Sequence, residues 1–221
     1  RSDSVVTLYD QGCEAERCFM VMRYLAGRSV QDQRPGGTWP HDLVVGLATG
    51  LAASLCEVHE TVGPHGNLKP SNVFPVEGKG VLLSDFLLPL WLDELEAGSQ
   101  LLISRVLHPW RAPEQCEDPR DYDTRSDIFS FGMVLLWCVS GAVPSVREVE
   151  AAAEAAEWPD PLAEVARRCL KVDRDERYAD GLELFEALAA VAGGAAAPGA
   201  PETEQGAPGQ APSAHRPVLS L

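Results

Sequence analysis

The stretch His65-Gly66-Asn67-Leu68-Lys69-Pro70-Ser71-Asn72 is rich in polar side chains and lies between two apolar segments. Before it, Val44, Leu47, Ala48, Leu51, Ala52, Leu55 and Val58 recur at three- and four-residue spacing. That places them on one face of a helix predicted over residues 41–62, which Gly63-Pro64 would end. After it, residues 73–76 and 81–84 read as two short strands, with Glu77-Gly78-Lys79-Gly80 as their turn. The polar stretch is therefore a loop joining a long amphipathic helix to a hairpin.

Further downstream, Asp85-Phe86-Leu87 follows the hairpin, residues 85–114 read as irregular, and Ala112-Pro113-Glu114 closes that segment. Ser126-Asp127-Ile128-Phe129-Ser130-Phe131-Gly132 opens a run that is apolar on nearly every side, as a helix buried in a core would be. Ser126 or Asp127 is its expected cap and Ser140-Gly141 its stop. Leu162, Val165, Ala166, Cys169 and Leu170 form one further helical stripe, and Leu182, Phe185, Leu188 and Ala189 another. At the other end, residues 5–9 and 18–24 read as strands, with Asp10-Gln11-Gly12 as the expected turn. The fold class that follows is α+β, mainly α: a helical lobe carrying two small β pieces.

Taken together, in this order and with these gaps, the motifs resemble the catalytic loop H-R-D-L-K-P-x-N, the D-F-G and A-P-E motifs and the S-D-x-x-S-F-G helix of protein kinases. The resemblance covers about residues 5–190 and is nearest to Ser/Thr and tyrosine-kinase-like families. It implies a remnant of the N-lobe sheet with hinge at 1–27 and a kinase-like C-lobe at 28–192. The Gly-, Ala- and Pro-rich residues 193–221 are expected to be disordered. By the same resemblance Met22, Tyr24 and Leu25 line the adenine side of a nucleotide site, Met22 at the gatekeeper place. Asp85 and Asn72 are the Mg²⁺ ligands, and Lys69 touches the transferred phosphoryl group. His65 and Phe86 stack in an apolar spine, with Leu8 above them. Glu114 pairs with Arg177, and Asp127 holds the catalytic-loop backbone; these three support the fold.

Departures from the pattern carry the functional expectation. Asn67 stands where the family has its catalytic Asp; an amide has nearly that shape but accepts no proton at neutral pH. Leu87 replaces the D-F-G glycine, and a Cβ there restricts the backbone turn. Gly66 replaces the Arg that receives an activation-segment phosphate, so Ser99 and Ser104 read as ordinary exposed serines. No G-x-G-x-x-G or V-A-I-K string occurs, so ATP and Mg²⁺ binding is expected to be weak, and the chain opens on Arg1 as a piece of a longer protein would. The expectation is an impaired kinase that works by binding other proteins, an active kinase among them. The alternative is a weak Ser/Thr kinase completed by upstream sequence.

Composition narrows the partners. With 18 Lys+Arg against 33 Asp+Glu, the 221-residue chain carries a net charge of −15, which repels nucleic acid and anionic membrane. No run is long and apolar enough to read as a membrane span. None of Cys13, Cys18, Cys56, Cys116, Cys138 and Cys169 has zinc spacing, and Cys56, Cys138 and Cys169 fall in apolar helical patterns. An intracellular, reducing compartment is the expectation.

Overall fold

The computed structural model describes residues 2–14, 17–34, 36–86 and 109–194. Strands β1 (Leu8–Glu14) and β2 (Arg17–Met22) form an antiparallel hairpin. Helix α1 (His41–Thr61) follows, then a 3-10 turn at Pro70–Asn72 and a second antiparallel hairpin, β3 (Val73–Val76) with β4 (Gly80–Leu83). The remaining helices are α2 (Pro113–Glu117), α3 (Thr124–Ser140), α4 (Val149–Ala155), α5 (Ala163–Cys169) and α6 (Gly181–Gly194).

Helix α3 is the centre. Every residue from Ser126 to Val139 is buried, so the helix is wrapped on all sides. Its caps differ from expectation at one end. Asp123, not Ser126 or Asp127, is the N-cap, accepting from the N–H groups of Arg125 and Ser126, while Ser126 Oγ accepts from Asp123 N–H. The reciprocal pair satisfies donors that a helix start leaves open. This leaves Asp127 to accept from the loop that follows α1. Gly141 closes the helix at φ 73°, a conformation glycine adopts without strain.

Helix α1 packs its predicted stripe, Val44 to Val58, into the same core. Among the described residues it alone is long and apolar enough to span a membrane, yet that stripe is buried in protein. Cys138 and Cys169 are buried free thiols and Cys56 is partly buried.

The first hairpin departs from the sequence expectation. Asp10, Gln11 and Gly12 lie inside β1, opposite Val21, Met20 and Phe19, and the chain reverses between Glu14 and Arg17. Gly12 serves space rather than a turn: a Cβ there would stand 2.9 Å from the ring of Phe19. Residues 4–6 do not belong to that hairpin either. They run beside β4, with Val6 N–H donating to Leu83 C=O at 2.9 Å and Leu83 N–H to Ser4 C=O at 2.8 Å. Leu8 is 48% exposed, so it does not sit in an apolar spine. Phe19, Val21 and Tyr24 are exposed as well, leaving the small sheet with an open apolar surface. Helix α6 continues two residues past the expected boundary at 192, to Gly194.

Candidate functional site

Asp127, 1% exposed in the first turn of α3, organises the loop that follows α1. Its carboxylate accepts from His65 N–H at 2.6 Å and from Gly66 N–H at 2.9 Å. A third donor comes from His59, whose Nε2 lies 3.1 Å from Asp127 Oδ2. His59 Nδ1 accepts from Gly181 N–H at 2.9 Å, which leaves the ring proton on Nε2 and aims it at Asp127. One buried carboxylate thus ties the loop to α1, α3 and the start of α6. The sequence reading did not include His59; its trace was a histidine beside Val58 at the end of an apolar stripe.

His65 is fully buried. Its Nδ1 accepts from Asn67 N–H at 3.1 Å and its Nε2 donates to Ser84 C=O at 2.9 Å, so the ring is neutral with both nitrogens used. Burial pushes its pKa down to about 4, against the opposing pull of Asp127. The ring stacks on Phe86 with centroids 4.2 Å apart. No nitrogen is left for catalysis; His65 is a strut between the loop and the end of β4.

Asn67 is 4% exposed and donates from Nδ2 to the backbone carbonyl of Asp85 at 3.1 Å. Its own carbonyl accepts from Asn72 Nδ2 at 3.0 Å. Asn67 Oδ1 is buried without a partner among the described residues. It is an acceptor for a hydroxyl or water rather than a base.

Lys69 and Asp85 face each other electrostatically. Burial lowers the Lys69 pKa while the Asp85 charge raises it, and burial raises the Asp85 pKa while Lys69 opposes. Asp85 is also the one described non-glycine residue at positive φ, 58°, a conformation that costs energy and persists only where the surroundings enforce it. Asn72 Oδ1 accepts from Ser71 Oγ at 3.2 Å, and Asn72 C=O accepts from Ser84 N–H at 3.0 Å. The cluster offers one carboxylate and one amide oxygen to a cation, and no three-member group of metal-binding side chains exists among the described residues. Such a set fits Mg²⁺ only with oxygens from bound phosphates. Asp85 and Asn72 would be its protein ligands.

Gly66 stands at φ 71°, and a Cβ there would meet the Tyr122 ring at 2.9 Å. Tyr122 therefore occupies the space beside the loop that a longer side chain at 66 would enter. Gln115 Nε2 donates to Gly66 C=O at 3.2 Å, linking α2 to the loop. The hinge residues are looser: Met22 ends β2, Arg23 N–H donates to Thr7 C=O, and Tyr24 is 88% exposed while Leu25 is half-buried. Leu87, Ser99 and Ser104 lie outside the described residues.

Glu114 and Arg177 form the buried ion pair expected of the fold. Two parallel bonds of 2.8 and 2.9 Å join them, and Ser126 Oγ donates to the same carboxylate at 2.8 Å. Arg177 also donates to the carbonyls of Lys171, Arg125 and Val172, so each donor direction is used. Burial pushes the Glu114 carboxyl up, but the Arg177 bonds and charge outweigh it and hold it below the usual range.

The protein kinase domain model matches residues 1–180. The chain belongs to the protein kinase family. It is 24% identical over 203 residues to a probable serine/threonine-protein kinase of Clostridium acetobutylicum, a match covering 85% of this chain and 31% of that protein. It is 34% identical over 114 residues to an Arabidopsis thaliana protein named "probable inactive receptor kinase", covering 51% and 16%. The kinase domain of PknI from Mycobacterium tuberculosis, solved as a double mutant, superposes with a TM-score of 0.60 at 20% identity, over 86% of this chain and 72% of that one. The chain spans a third or less of the length of these curated relatives.

Proposed function

We propose that this domain is a catalytically impaired member of the family that acts by binding other proteins, an active kinase being the partner class its fold suggests. Asn67 carries the reading. Its amide occupies the base position, has no carboxylate to accept a hydroxyl proton, and spends its N–H₂ on the Asp85 carbonyl. Removing general-base help of this kind lowers a rate by about 10²–10⁴-fold. The likeness to a receptor kinase named as inactive supports the same reading. Free cysteines in the core and the acidic surface suit a soluble, intracellular setting.

A second reading, a weak ATP- and Mg²⁺-dependent Ser/Thr kinase, has its own support in Lys69, Asp85 and Asn72 standing together beside Asn67. If nucleotide is bound, ATP supplies the phosphoryl group and Mg²⁺ the charge neutralisation. The protein's part is to hold the cation at Asp85 and Asn72 and the phosphate near Lys69. The two readings separate in one experiment. The full chain is melted with ATP, with and without Mg²⁺, and assayed for phosphate transfer to itself and to a generic protein substrate. The proposal expects no transfer by the wild type. A transfer activity that Asp85→Ala abolishes would overturn it in favour of the weak kinase. A ligand at 100 times its dissociation constant stabilises by about 2.7 kcal/mol, so nucleotide binding without transfer would be visible as a Tm shift.

A further inference from the structure

The N-terminal segment, the residue after β2 and the β3–β4 hairpin enclose a cavity of about 430 Å³ that no residue of the catalytic loop lines. Val5, Val6 and Leu82 form its apolar lining, and Asp3, Arg23 and Lys79 its charged one. The size falls within that of small-ligand sites, roughly 300–1,000 Å³.

Backbone bonds fix each charged corner. Arg23 N–H donates to Thr7 C=O at 2.8 Å, and Asp3 N–H to Glu57 Oε1 at 2.7 Å. Lys79 N–H donates to Val76 C=O at 3.0 Å, in a turn where Gly78 and Gly80 stand at φ 72° and 80°. The apolar lining is held as well, because Val6 N–H donates to Leu83 C=O and Leu83 N–H to Ser4 C=O. The cavity is therefore part of the fold, and only the ends of its three charged side chains are free to adjust.

Its charges set it apart. The chain has 18 Lys+Arg against 33 Asp+Glu, and two other cavities formed by described residues carry carboxylates: Asp42 and Glu77 in one, Glu60 and Asp180 in the other. In the helical lobe Arg167, Arg168, Arg174 and Arg177 each hold a carboxylate. Arg23 and Lys79 hold none among the described residues, and Asp3, in the same cavity, is not within ion-pair distance of either. Two cations from different elements, left without a counter-ion over an apolar surface, attract an anion with an apolar part. The pair also selects among anions. A planar carboxylate is satisfied by the fork of a single Arg. A phosphomonoester has three terminal oxygens pointing apart and a charge near −2, which suits an Arg fork together with the point charge of a Lys.

We propose that this cavity binds a phosphomonoester carried on a small apolar group, its oxygens on Arg23 and Lys79 and its carbon part on Val5, Val6 and Leu82. The group is borne by a free small molecule or by a phosphorylated residue of a partner protein; the recognising chemistry is the same. A bound ligand ties the residue after β2 to the N-terminal segment and to the β3–β4 turn. The site does not depend on whether the domain transfers phosphate.

Isothermal titration of the full chain at low salt tests this. Phenyl phosphate is the free-ligand probe, a short phosphoserine peptide with aliphatic neighbours the partner probe, and inorganic phosphate and benzoate the comparators. The expected result is one site for phenyl phosphate, tighter than for either comparator. Arg23→Ala and Lys79→Ala should each weaken it by about fivefold, the upper range for an exposed charge pair, and Asp3→Asn should tighten it. All three side chains are exposed, so the variants should keep the wild-type melt in the absence of ligand. Whichever of phenyl phosphate and the peptide binds more tightly identifies the source of the group, and either order supports the site. Unchanged affinity in the Arg23→Ala/Lys79→Ala variant would overturn the proposal. So would binding lost in Lys69→Ala instead, which would place the anion at the catalytic loop, or benzoate binding as tightly as phenyl phosphate, which would make this a carboxylate site.

Discussion

Asn67 and Gly66 are adjacent, and the structure gives each a different reason to resist reversion to the family pattern. Asn67→Asp would restore a carboxylate at the base position, but one of its oxygens would then face the Asp85 carbonyl that the amide now donates to. A buried acceptor left against an acceptor costs about 1–3 kcal/mol. The variant should therefore melt lower than the wild type while becoming the better catalyst, if the phosphate-binding parts are supplied. A phosphotransfer assay beside a thermal melt measures both. A gain in activity with no loss of stability would mean that the hydrogen bond from the Asn67 amide to the Asp85 carbonyl is not formed. Gly66→Arg has no such gain. The position holds φ 71° and the Tyr122 ring closes on it, so an L-residue meets roughly 1–2 kcal/mol of backbone strain plus a displaced aromatic ring. We expect lower stability in denaturant unfolding and partial rescue by adding Tyr122→Ala. The two departures were legible in the sequence as substitutions. Their consequences were not, because a single sequence does not show that Tyr122, more than fifty residues away, fills the space beside Gly66, or that a backbone carbonyl has come to depend on the amide.

At the scale of elements, the ion pair between Glu114 at the start of α2 and Arg177 after α5 illustrates what pattern can and cannot supply. The partners were legible from the resemblance. What made the pair tolerable in the core was not: Arg177 is 2% exposed, yet its donors find Glu114 and the carbonyls of Lys171, Arg125 and Val172. A buried pair broken on one side leaves an uncompensated charge, at a cost of about 3–5 kcal/mol. Arg177→Met should lower Tm by roughly 6–20 °C, taking about 2–4 °C per kcal/mol for a domain of this size, and Glu114→Gln by less, since an amide can still accept. Equal Tm values for Arg177→Met and wild type would contradict the burial described here. The first hairpin was misread for a related reason. Asp-Gln-Gly is good turn chemistry, but these residues pair with Val21, Met20 and Phe19 inside the hairpin, where the Phe19 ring lies over Gly12. Residues 4–6 pair instead with β4, a long-range contact that no local window contains. Periodicity succeeded where one face meets one core, as in α1. For α3 it was the absence of a polar face that marked the central helix.

For the whole molecule the buried polar network makes a pH-dependent stability that can be signed. His65 is neutral, sealed between Asn67 N–H and Ser84 C=O, with its pKa pushed down to about 4 chiefly by burial. In the unfolded chain a histidine titrates near 6.5. Between those two values the unfolded state binds more protons than the folded state, so stability rises with pH through the window and falls as pH drops. The folded state resists protonation because a second proton on Nδ1 would displace the Asn67 N–H and place a charge in the core. Each pKa unit corresponds to 1.36 kcal/mol, so the window carries a loss on the order of 3 kcal/mol, complete by about pH 4. Glu114 acts in the same direction at the lower end. Its pKa is held below the usual value by Arg177, so the stabilisation it contributes is present at neutral pH and is lost as pH falls through its folded value. Chemical denaturation of the full chain at pH 7, 6, 5 and 4 reads the sum. His65→Gln, an amide able to donate to Ser84 C=O and accept from Asn67 N–H, should flatten the profile between pH 6.5 and 5 while leaving the steeper fall below pH 5. A profile equally steep in wild type and His65→Gln above pH 5 would place the titrating group elsewhere and remove His65 as the strut between the catalytic loop and β4.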